Sequence, residues 1–420
     1  MIRENKRTHY GVIGMKFSAE KILAEAKRLE PVLREIRRDF HRYPELGFHE
    51  FRTTKKIREI LSSIPEMRLL PLAMKTGAAA ELPGLVPSQG TIGLRCDIDA
   101  LPIQEKNTHD FVSRECGKMH ACGHDGHITV VLGAAMLLSR FRPDCTVRFL
   151  FQPAEETTPD GAPEFIAAGA ADGLKNVWGF HLNATSDFGK IGYYDGAVMA
   201  GGTGFSIKVH GRSGHQSYPE SCVNAIDVLT KIAVGLEAVK STIRATRPYS
   251  ITCCSLVAGN EWDPQLPGEG YLNGRLAFLE KEIDMHLRSR ISALAEGICQ
   301  LYGATCDIEY IDHLPITRNE PSMGEIVRKN AAEFGFETEE IFPSMGSDDF
   351  GCYRSKAPTY YMTFGIRKGA DFPIAHTPMF NFDEAILPHC RGAVRLLCAG
   401  MNGHKRGGQK GDLLFLPARY

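Results

Sequence analysis

Residues 119–127 (MHACGHDGH) bring one thiol, three imidazoles and one carboxylate into nine consecutive positions, with two glycines that permit tight turns. Cysteine and histidine are common ligands of zinc and similar ions. Cys122 and His124 are one residue apart, so an extended or looped backbone points both side chains the same way. The stretch therefore predicts a metal site. Taken alone, it leaves open a redox or structural cysteine beside surface histidines.

The elements around this stretch predict an α/β fold. Residues 126–141 are apolar and helix-forming, which puts the ligands on a loop at the N-terminus of a helix, where the helix dipole favours a thiolate. Strands are predicted at 91–95, 146–152 and 177–181. Alternating strands and helices indicate a mostly parallel sheet flanked by helices.

Four polar side chains follow the carboxyl ends of predicted strands, the edge at which open α/β sheets bind ligands. They are Asp97, Glu155, Glu156 and His181. Adjacent carboxylates on a loop let one ligate a metal while the other holds a water, as metal-assisted hydrolysis requires. A solvated acidic turn is the alternative for the glutamates, and a buried core histidine is the alternative for His181.

His376 lies in a loop (AHTP), where an ordinary loop histidine is the alternative reading. The candidate ligands are then Cys122, His124, Glu156, His181 and His376. Five ligands are too many for one tetrahedral ion and suit two ions that share one ligand. The thiolate is the natural bridge.

The pattern changes near residue 199. Strands at 203–210, 250–257 and 271–279 and helices at 221–243 and 283–301 predict a smaller α+β unit with one antiparallel sheet. The α/β pattern is expected to resume with strand 307–311, helix 320–335, strand 358–364 and helix 383–402. The first part of the predicted catalytic domain covers residues 16–198, and its second part covers residues 309–402. The inserted lid covers residues 199–308, and a tail covers residues 403–420. Within the lid, His215 is a candidate donor to an oxyanion, with a plain turn histidine as the alternative.

Composition narrows the function classes. A chain of 420 residues predicts two domains, and a net charge of −1 gives no reason to expect nucleic acid or a membrane surface as partner. No apolar run reaches the roughly 18 residues of a membrane span. The first residues lack the apolar core of a secretory signal. The 12 cysteines include no CxxC pair, which favours a reducing, cytoplasmic location.

The chain resembles the dinuclear-metal aminoacylase and carboxypeptidase superfamily, in the branch of hippurate hydrolase, N-acyl-amino-acid amidohydrolases and indole-acetyl-amino-acid hydrolases. The most specific matches are MHACGHDGH, FQPAEE and the late histidine. The matching segments occur in family order at residues 37–53, 94–102, 119–127, 151–156, 178–182, 211–219, 345–351 and 375–384.

The resemblance implies a role for each candidate. Cys122 would bridge two divalent ions, and His124, Glu156, His181 and His376 would complete the two coordination shells. Zinc and manganese are the preferred ions, and cobalt and nickel are the alternatives. Glu155 would be the general base and later the acid for the leaving amine. Asp97 would orient a ligand. His215 would reach the site from the lid, which in relatives is often the lid of a partner subunit. The chain would form a homodimer through the lid.

The lid departs from the family at one point. Relatives carry an asparagine and an arginine that help hold the substrate's carboxylate. Here residues 258–267 read AGNEWDPQLP, and Ala277 stands where the arginine is expected. Arg275 is the nearest replacement, while Glu261 and Asp263 are close in sequence. Asp348 also stands where many relatives have glutamate.

These observations predict a metal-dependent amidohydrolase that cleaves N-acyl amino acids or related small amides. A dipeptidase or carboxypeptidase of the same superfamily is the first alternative. A non-catalytic metal- or ligand-binding descendant is the second, and the presence of Glu155 argues against it because a binding module needs no general base.

Overall fold

The computed structural model describes residues 19–261, 264–389 and 392. The predicted helix 383–402 lies mostly outside this part of the chain, as do the tail 403–420, the first residues and Asp263. Seven helices are described, α1 to α7, at Ala19–Arg42, Phe51–Ser63, His124–Arg140, Gly161–Ala167, Ala225–Lys240, Lys281–Tyr302 and Pro321–Glu333.

Sixteen strands, β1 to β16, are described in the same residues. In chain order they are Arg68–Leu69, Ala78–Leu82, Thr91–Asp97, Thr146–Gln152, Leu174–Asp187, Ile191–Tyr193, Gly196–Met199, Gly201–His210, Gly214–His215, Tyr249–Ala258, Gln265–Leu266, Glu269–Phe278, Thr305–Leu314, Thr317–Asn319, Thr338–Glu340 and Thr359–Arg367.

The larger sheet has eight strands in the order β1-β2-β4-β3-β5-β16-β6-β15. Its centre, from β4 through β3 and β5 to β16, is parallel, whereas β1, β2 and β6 join antiparallel. Helix α3 is buried along almost its whole length, against α1 on one side and the sheet on the other. This confirms the predicted mostly parallel α/β sheet.

Helix α3 begins at His124, two residues earlier than predicted, so His124 lies in its first turn rather than on the preceding loop. The turn before it depends on Gly123, whose φ of +90° favours glycine. A side chain at Gly126 would meet Phe382 and Leu182, at 2.6 and 2.7 Å from an ideal Cβ. The two glycines of the motif therefore let the backbone turn and then pack closely against its neighbours.

The smaller sheet is antiparallel, in the order β10-β12-β8-β13. Helices α5 and α6 share an apolar core with it. Strand β13 (Thr305–Leu314) belongs to this sheet, so the prediction that strand 307–311 resumes the catalytic α/β pattern is wrong. Its alternating exposure is typical of a half-covered antiparallel strand rather than of a buried parallel one. The predicted boundary between the lid and the second part of the catalytic domain, at 308/309, falls inside β13. The division of the chain into domains stays a prediction.

Two further elements differ from prediction. Helix α5 begins at Ala225 rather than at residue 221, because Asn224 caps it by accepting a hydrogen bond from the Ile226 N–H at 3.1 Å. Residues Glu384–His389 form a 3₁₀ helix at the start of the predicted last helix. Among the described helices, none combines the length and apolar character that crossing a bilayer requires.

A buried arginine ties the central strands together under the sheet edge that carries the candidate site. The Arg95 guanidinium, at the end of β3, donates to Asp97, Gln152 and Asp349 at 2.8, 2.9 and 2.7 Å. Arg95, Asp97 and Asp349 are fully buried. Burial lowers the pKa of Arg95, but the surrounding carboxylates outweigh it and raise that pKa well above its usual value. The guanidinium therefore keeps its charge and neutralises this edge.

We expect Arg95→Met to lower the free energy of unfolding by about 3–5 kcal/mol, because it leaves buried carboxylates without a partner. Arg34→Met is the matched control, since the Arg34–Glu30 pair at 2.7 Å is partly exposed and should contribute less than about 1 kcal/mol. Denaturant unfolding of both variants measures the difference. Equal losses in the two variants would contradict this role for Arg95.

Candidate metal centre

Two metal-ligand candidates lie beside the glycine turn that precedes α3. Cys122 is on the turn, and His124 is the first residue of the helix. His124 Nδ1 lies 2.9 Å from the backbone carbonyl oxygen of Asp99. This contact holds the Nδ1 proton, which turns Nε2 into the cluster as the available ligand atom.

Glu155 and Glu156 follow β4 on a strained turn. Ala154 has φ of +57°, unusual for a residue with a side chain. The turn is fixed from two sides, because the buried Glu50 carboxylate accepts the Ala154 N–H at 2.8 Å and Asp99 accepts the Glu156 N–H at 2.9 Å. The strained backbone directs both carboxylates toward His124, whose ligand atom lies within 4.8 Å of theirs.

The last two candidates come from the central strand β5 and from the loop that follows β16. His181 lies within β5, where its Nδ1 is 2.7 Å from the carbonyl oxygen of Leu182. His376 has φ of +64°, and its N–H donates to the Ala121 carbonyl at 2.8 Å. That bond joins the loop of His376 directly to the turn that carries Cys122.

The five predicted ligands meet at the Cys122 sulfur. His181 Nε2 and His376 Nε2 each lie 3.3 Å from Cys122 Sγ. Glu156 Oε1 is 3.0 Å from His376 Nε2 and 3.9 Å from His124 Nε2. Two groups of three ligand atoms, each within 4.8 Å of one another, share the thiol: Cys122 with His124 and His181, and Cys122 with Glu156 and His376.

The electrostatics of the cluster fit a cation. Burial and the neighbouring Glu156 and Glu155 carboxylates raise the pKa of Cys122 well above its usual value, so the thiolate needs a positive charge beside it. Burial and His127 lower the pKa of His181 to about 4, which leaves its imidazole neutral and able to ligate. The buried His124 Nε2 has no hydrogen-bond partner among the described residues. Thiol, imidazole and carboxylate together suit zinc and similar divalent ions.

A layer of polar groups behind the ligands holds them in place. Asp97 Oδ1, the predicted orienting carboxylate, lies 2.6 Å from His127 Nδ1 and 3.7 Å from His124 Nε2. His127 Nε2 in turn accepts the Leu182 N–H at 3.0 Å, next to His181. Asp97 thus acts on the strand of His181 through His127.

Three supporting residues were not identified from the sequence: His127, Asp99 and Glu50. His127 lies three residues after His124, and Asp99 lies two residues after Asp97. Both belong to segments that match the family, so the sequence could have indicated them. Glu50 also lies inside a matching segment, 37–53, but its role did not follow from the sequence, because its partner Ala154 is 104 positions away along the chain.

Glu155 sits at the edge of the cluster among other acids. Burial raises its pKa well above the usual value, and the charges of Asp348, Glu156 and Asp349 raise it further. A carboxyl group with a raised pKa holds a proton more readily than a free glutamate does. Such a group is suited to accept a proton from water and to donate it later.

A cavity of about 370 Å³, here called the polar cavity, opens beside Glu155 and Glu156. Its wall on the small sheet includes Arg275 and Ala277, which alternate with buried residues along β12 and share one face. Strand β12 pairs with β8 in continuous register through both positions. Arg275 therefore lines the cavity two residues from the position where an arginine was expected.

His215 is not brought to the cluster. It lies exposed in β9, where its Nδ1 accepts the Ser217 N–H at 3.1 Å and its ring lies 6.0 Å from the ring of Tyr218. None of its described contacts is with a candidate ligand or with Glu155. Its catalytic role stays a prediction that a second copy of the chain would have to satisfy.

The chain matches known proteins along most of its length. The model of Peptidase family M20/M25/M40 matches residues 93–399, and the chain belongs to this family. It is 34% identical over 356 residues to N-acetylcysteine deacetylase of Bacillus subtilis, covering 84% of this chain and 92% of that one. It is 31% identical over 378 residues to thermostable carboxypeptidase 1 of Saccharolobus solfataricus, covering 88% and 95%.

The fold also resembles that of a solved structure. A Bacillus subtilis protein described as a dinuclear metal binding peptidase from the M20 family superposes with a TM-score of 0.80 at 31% identity. The match covers 89% of this chain and 99% of that chain. The fold is thus similar across nearly the whole of the solved protein.

We expect the number of bound metal ions in a variant to depend on whether the substituted residue belongs to one or to both of the ligand groups that share Cys122. Cys122→Ala removes an atom that both groups share and should abolish tight binding of both zinc equivalents, whereas His181→Ala should remove one. His210→Ala, on β8 of the small sheet, is the control and should keep two. Elemental analysis after zinc loading and dialysis measures the content. Two retained equivalents in Cys122→Ala would show that the thiol is not shared.

Proposed function

We propose that the chain is a metal-dependent amidohydrolase that hydrolyses the amide bond of N-acyl amino acids. The observation that carries this proposal is the position of Glu155, a proton-accepting group beside two ligand groups that share Cys122. Membership of the family and the deacetylase relative support it. A binding protein would need the ligands but not the adjacent carboxyl group.

Cys122, His124, Glu156, His181 and His376 would hold two divalent cations, which supply Lewis acidity and a water of lowered pKa when bound. We assign zinc or manganese to the site from its mixed thiolate, imidazole and carboxylate ligands, with cobalt or nickel as further candidates.

Glu155 performs the proton transfers. Its carboxylate accepts the proton of the attacking water and then donates that proton to the departing amine nitrogen. The strained turn at Ala154 and the Asp99 contact keep this carboxylate beside the cluster throughout. His215 of a second copy would donate a hydrogen bond to the carbonyl oxygen as negative charge develops there.

A homodimer through the smaller sheet is part of the proposal. Strand β10 is an edge strand of that sheet and exposes Leu256 and Val257. An edge strand with exposed apolar side chains is a surface on which a second chain can pair. We infer a reducing, cytoplasmic location from the scattered positions of the 12 cysteines, which include no CxxC pair.

Arg275 gives the proposed site a substrate carboxylate clamp. Arg275 lines the same cavity as Glu155. Its guanidinium would bind an α-carboxylate on the amine side of the scissile bond. This supports N-acyl amino acids over neutral amides. A carboxypeptidase or dipeptidase remains the second candidate, favoured by the thermostable carboxypeptidase relative, because peptides carry the same carboxylate.

We predict that Glu155→Gln lowers kcat on an N-acyl amino acid by at least about a hundredfold while the metal content stays unchanged. The amide keeps the size of the side chain but cannot accept the proton. Glu59→Gln, an exposed carboxylate on α2, is the control and should retain full activity. Retained turnover in Glu155→Gln would remove this residue from the mechanism.

We predict that Arg275→Met lowers kcat/KM on an N-acyl amino acid about ten- to a hundredfold, the contribution of a hydrogen bond to a charged group. On the same substrate with its carboxylate converted to an amide, the substitution should change kcat/KM little. Steady-state kinetics on both substrates, with a dipeptide beside them, separates the candidate functions. An equal loss on the amidated substrate would exclude Arg275 as the carboxylate clamp.

A further inference from the structure

A further group of possible metal ligands lies where the end of α1 meets the loop between β3 and α3. Its members are His41, Glu105 and His109, each of which has a ligand atom within 4.8 Å of the other two. His41 is in the last turn of α1, and the other two residues are in the loop. None of the three belongs to the candidate cluster or takes part in the proposed proton transfers.

The spacing of the three ligand atoms suits a tetrahedral zinc ion. His41 Nε2 and His109 Nε2 lie 3.1 and 3.3 Å from Glu105 Oε1. Ligand atoms that bind zinc tetrahedrally at about 2.0–2.1 Å are themselves about 3.3 Å apart. Two imidazoles and one carboxylate, with water in the fourth position, are a recognised ligand set for zinc.

His109 gives a separate indication of a ligand. Both of its ring nitrogens are buried, and neither has a hydrogen-bond partner among the described residues. Its ring is stacked on Phe111, with ring centroids 3.8 Å apart and planes 18° apart, which holds Nε2 beside Glu105. A buried nitrogen without a partner costs free energy, and a bound cation would supply the partner. The side chain is 18% exposed, so a cation can enter from the surface.

The other two side chains are held as metal ligands usually are. His41 Nδ1 lies 2.8 Å from Asp125 Oδ2, which directs Nε2 toward Glu105. Ligating histidines commonly donate their second N–H to a carboxylate in this way. Glu105 Oε2 accepts the Ser113 N–H at 2.6 Å, and this bond turns Oε1 toward the two imidazoles.

The charges around the group leave its carboxylate available to a cation. Burial raises the pKa of Glu105, but hydrogen bonds, first among them the one with His41, outweigh burial and lower that pKa to about 2. Arg37 is the arginine whose charge acts on both histidines, and its Nε lies 3.1 Å from Asp125 Oδ2. The positive charge of Arg37 is therefore already balanced by a carboxylate outside the group.

We propose that His41, Glu105 and His109 bind a divalent cation of zinc type at a site separate from the candidate cluster. The cation would replace the proton that His41 Nε2 shares with Glu105. It would fasten the loop of residues 98–123, which contains no helix or strand, to the end of α1. This inference goes beyond the proposed function and does not depend on it.

The ion at this site should bind more weakly than the two ions of the candidate cluster. Three protein ligands are described, and Glu105 Oε1 also accepts a hydrogen bond from Asn107 Nδ2 at 3.0 Å, which competes with a metal for that oxygen. We therefore expect dialysis to remove this ion and to leave the two equivalents of the cluster in place.

Calorimetric titration of the zinc-loaded, dialysed protein with further zinc tests the site. We expect the wild-type protein to bind one additional equivalent. His109→Phe keeps an aromatic ring on Phe111 but removes the ligand nitrogen, so it should weaken this binding at least about tenfold. His286→Phe is the matched control, because His286 Nε2 lies 2.8 Å from the Thr242 hydroxyl and not in this group, and it should keep the wild-type affinity.

His109→Gln is a second variant, which introduces no larger side chain and should also weaken the additional binding. Thermal unfolding without added zinc should give the wild-type midpoint for each variant that enters the comparison. The absence of an additional equivalent in the wild-type protein would overturn the proposal, as would unchanged affinity in both His109 variants. The two equivalents that survive dialysis are counted before the titration, so failure of this site is distinguishable from failure of the candidate cluster.

Discussion

The buried Cys122 sulfur is the atom on which the arrangement depends. Two histidine nitrogens lie 3.3 Å from it, and two ligand groups include it. Burial and nearby carboxylates oppose a bare thiolate at this point. A cation here would stabilise the thiolate and would also bind His124 Nε2, which has no hydrogen-bond partner among the described residues. The same positive charge is what a hydrolytic site uses to activate water, so the feature that makes the cluster stable when loaded also makes it reactive.

Strain in the backbone gives this cluster its precision. The turn at Ala154 and the loop at His376 both adopt positive φ, and each is held by hydrogen bonds from other parts of the chain. Those bonds come from Glu50 and Ala121, which also connect α2 and the Cys122 turn to the site. Beneath them, Arg95 neutralises carboxylates that would otherwise repel one another. The sheet edge thus supplies rigid positions, and the strained turns aim the side chains from them.

Sequence patterns predicted the parts of the fold that have short-range causes. The buried strands and the apolar helix α3 follow from runs of apolar residues, and strand Thr146–Gln152 was predicted with its observed limits. Strand β13 was misassigned because the partner of a strand depends on contacts far along the chain. The five candidate ligands were predicted from their residue types and spacing, and the structure brings their ligand atoms together. Their role as ligands stays a prediction. The expected position at the end of a strand was wrong for His181, which lies within β5. The supporting role of Glu50 was not predicted, because a hydrogen bond between residues 104 positions apart leaves no local pattern in the sequence.

The proposed site would hold two divalent cations that share the Cys122 sulfur, beside the polar cavity. Anomalous diffraction at the zinc edge from zinc-loaded crystals tests this claim most directly. We predict two peaks, each about 2.3 Å from Cys122 Sγ, one beside His181 and one beside His376. A single peak, or two peaks of which one lies beyond coordinating distance of that sulfur, would contradict it.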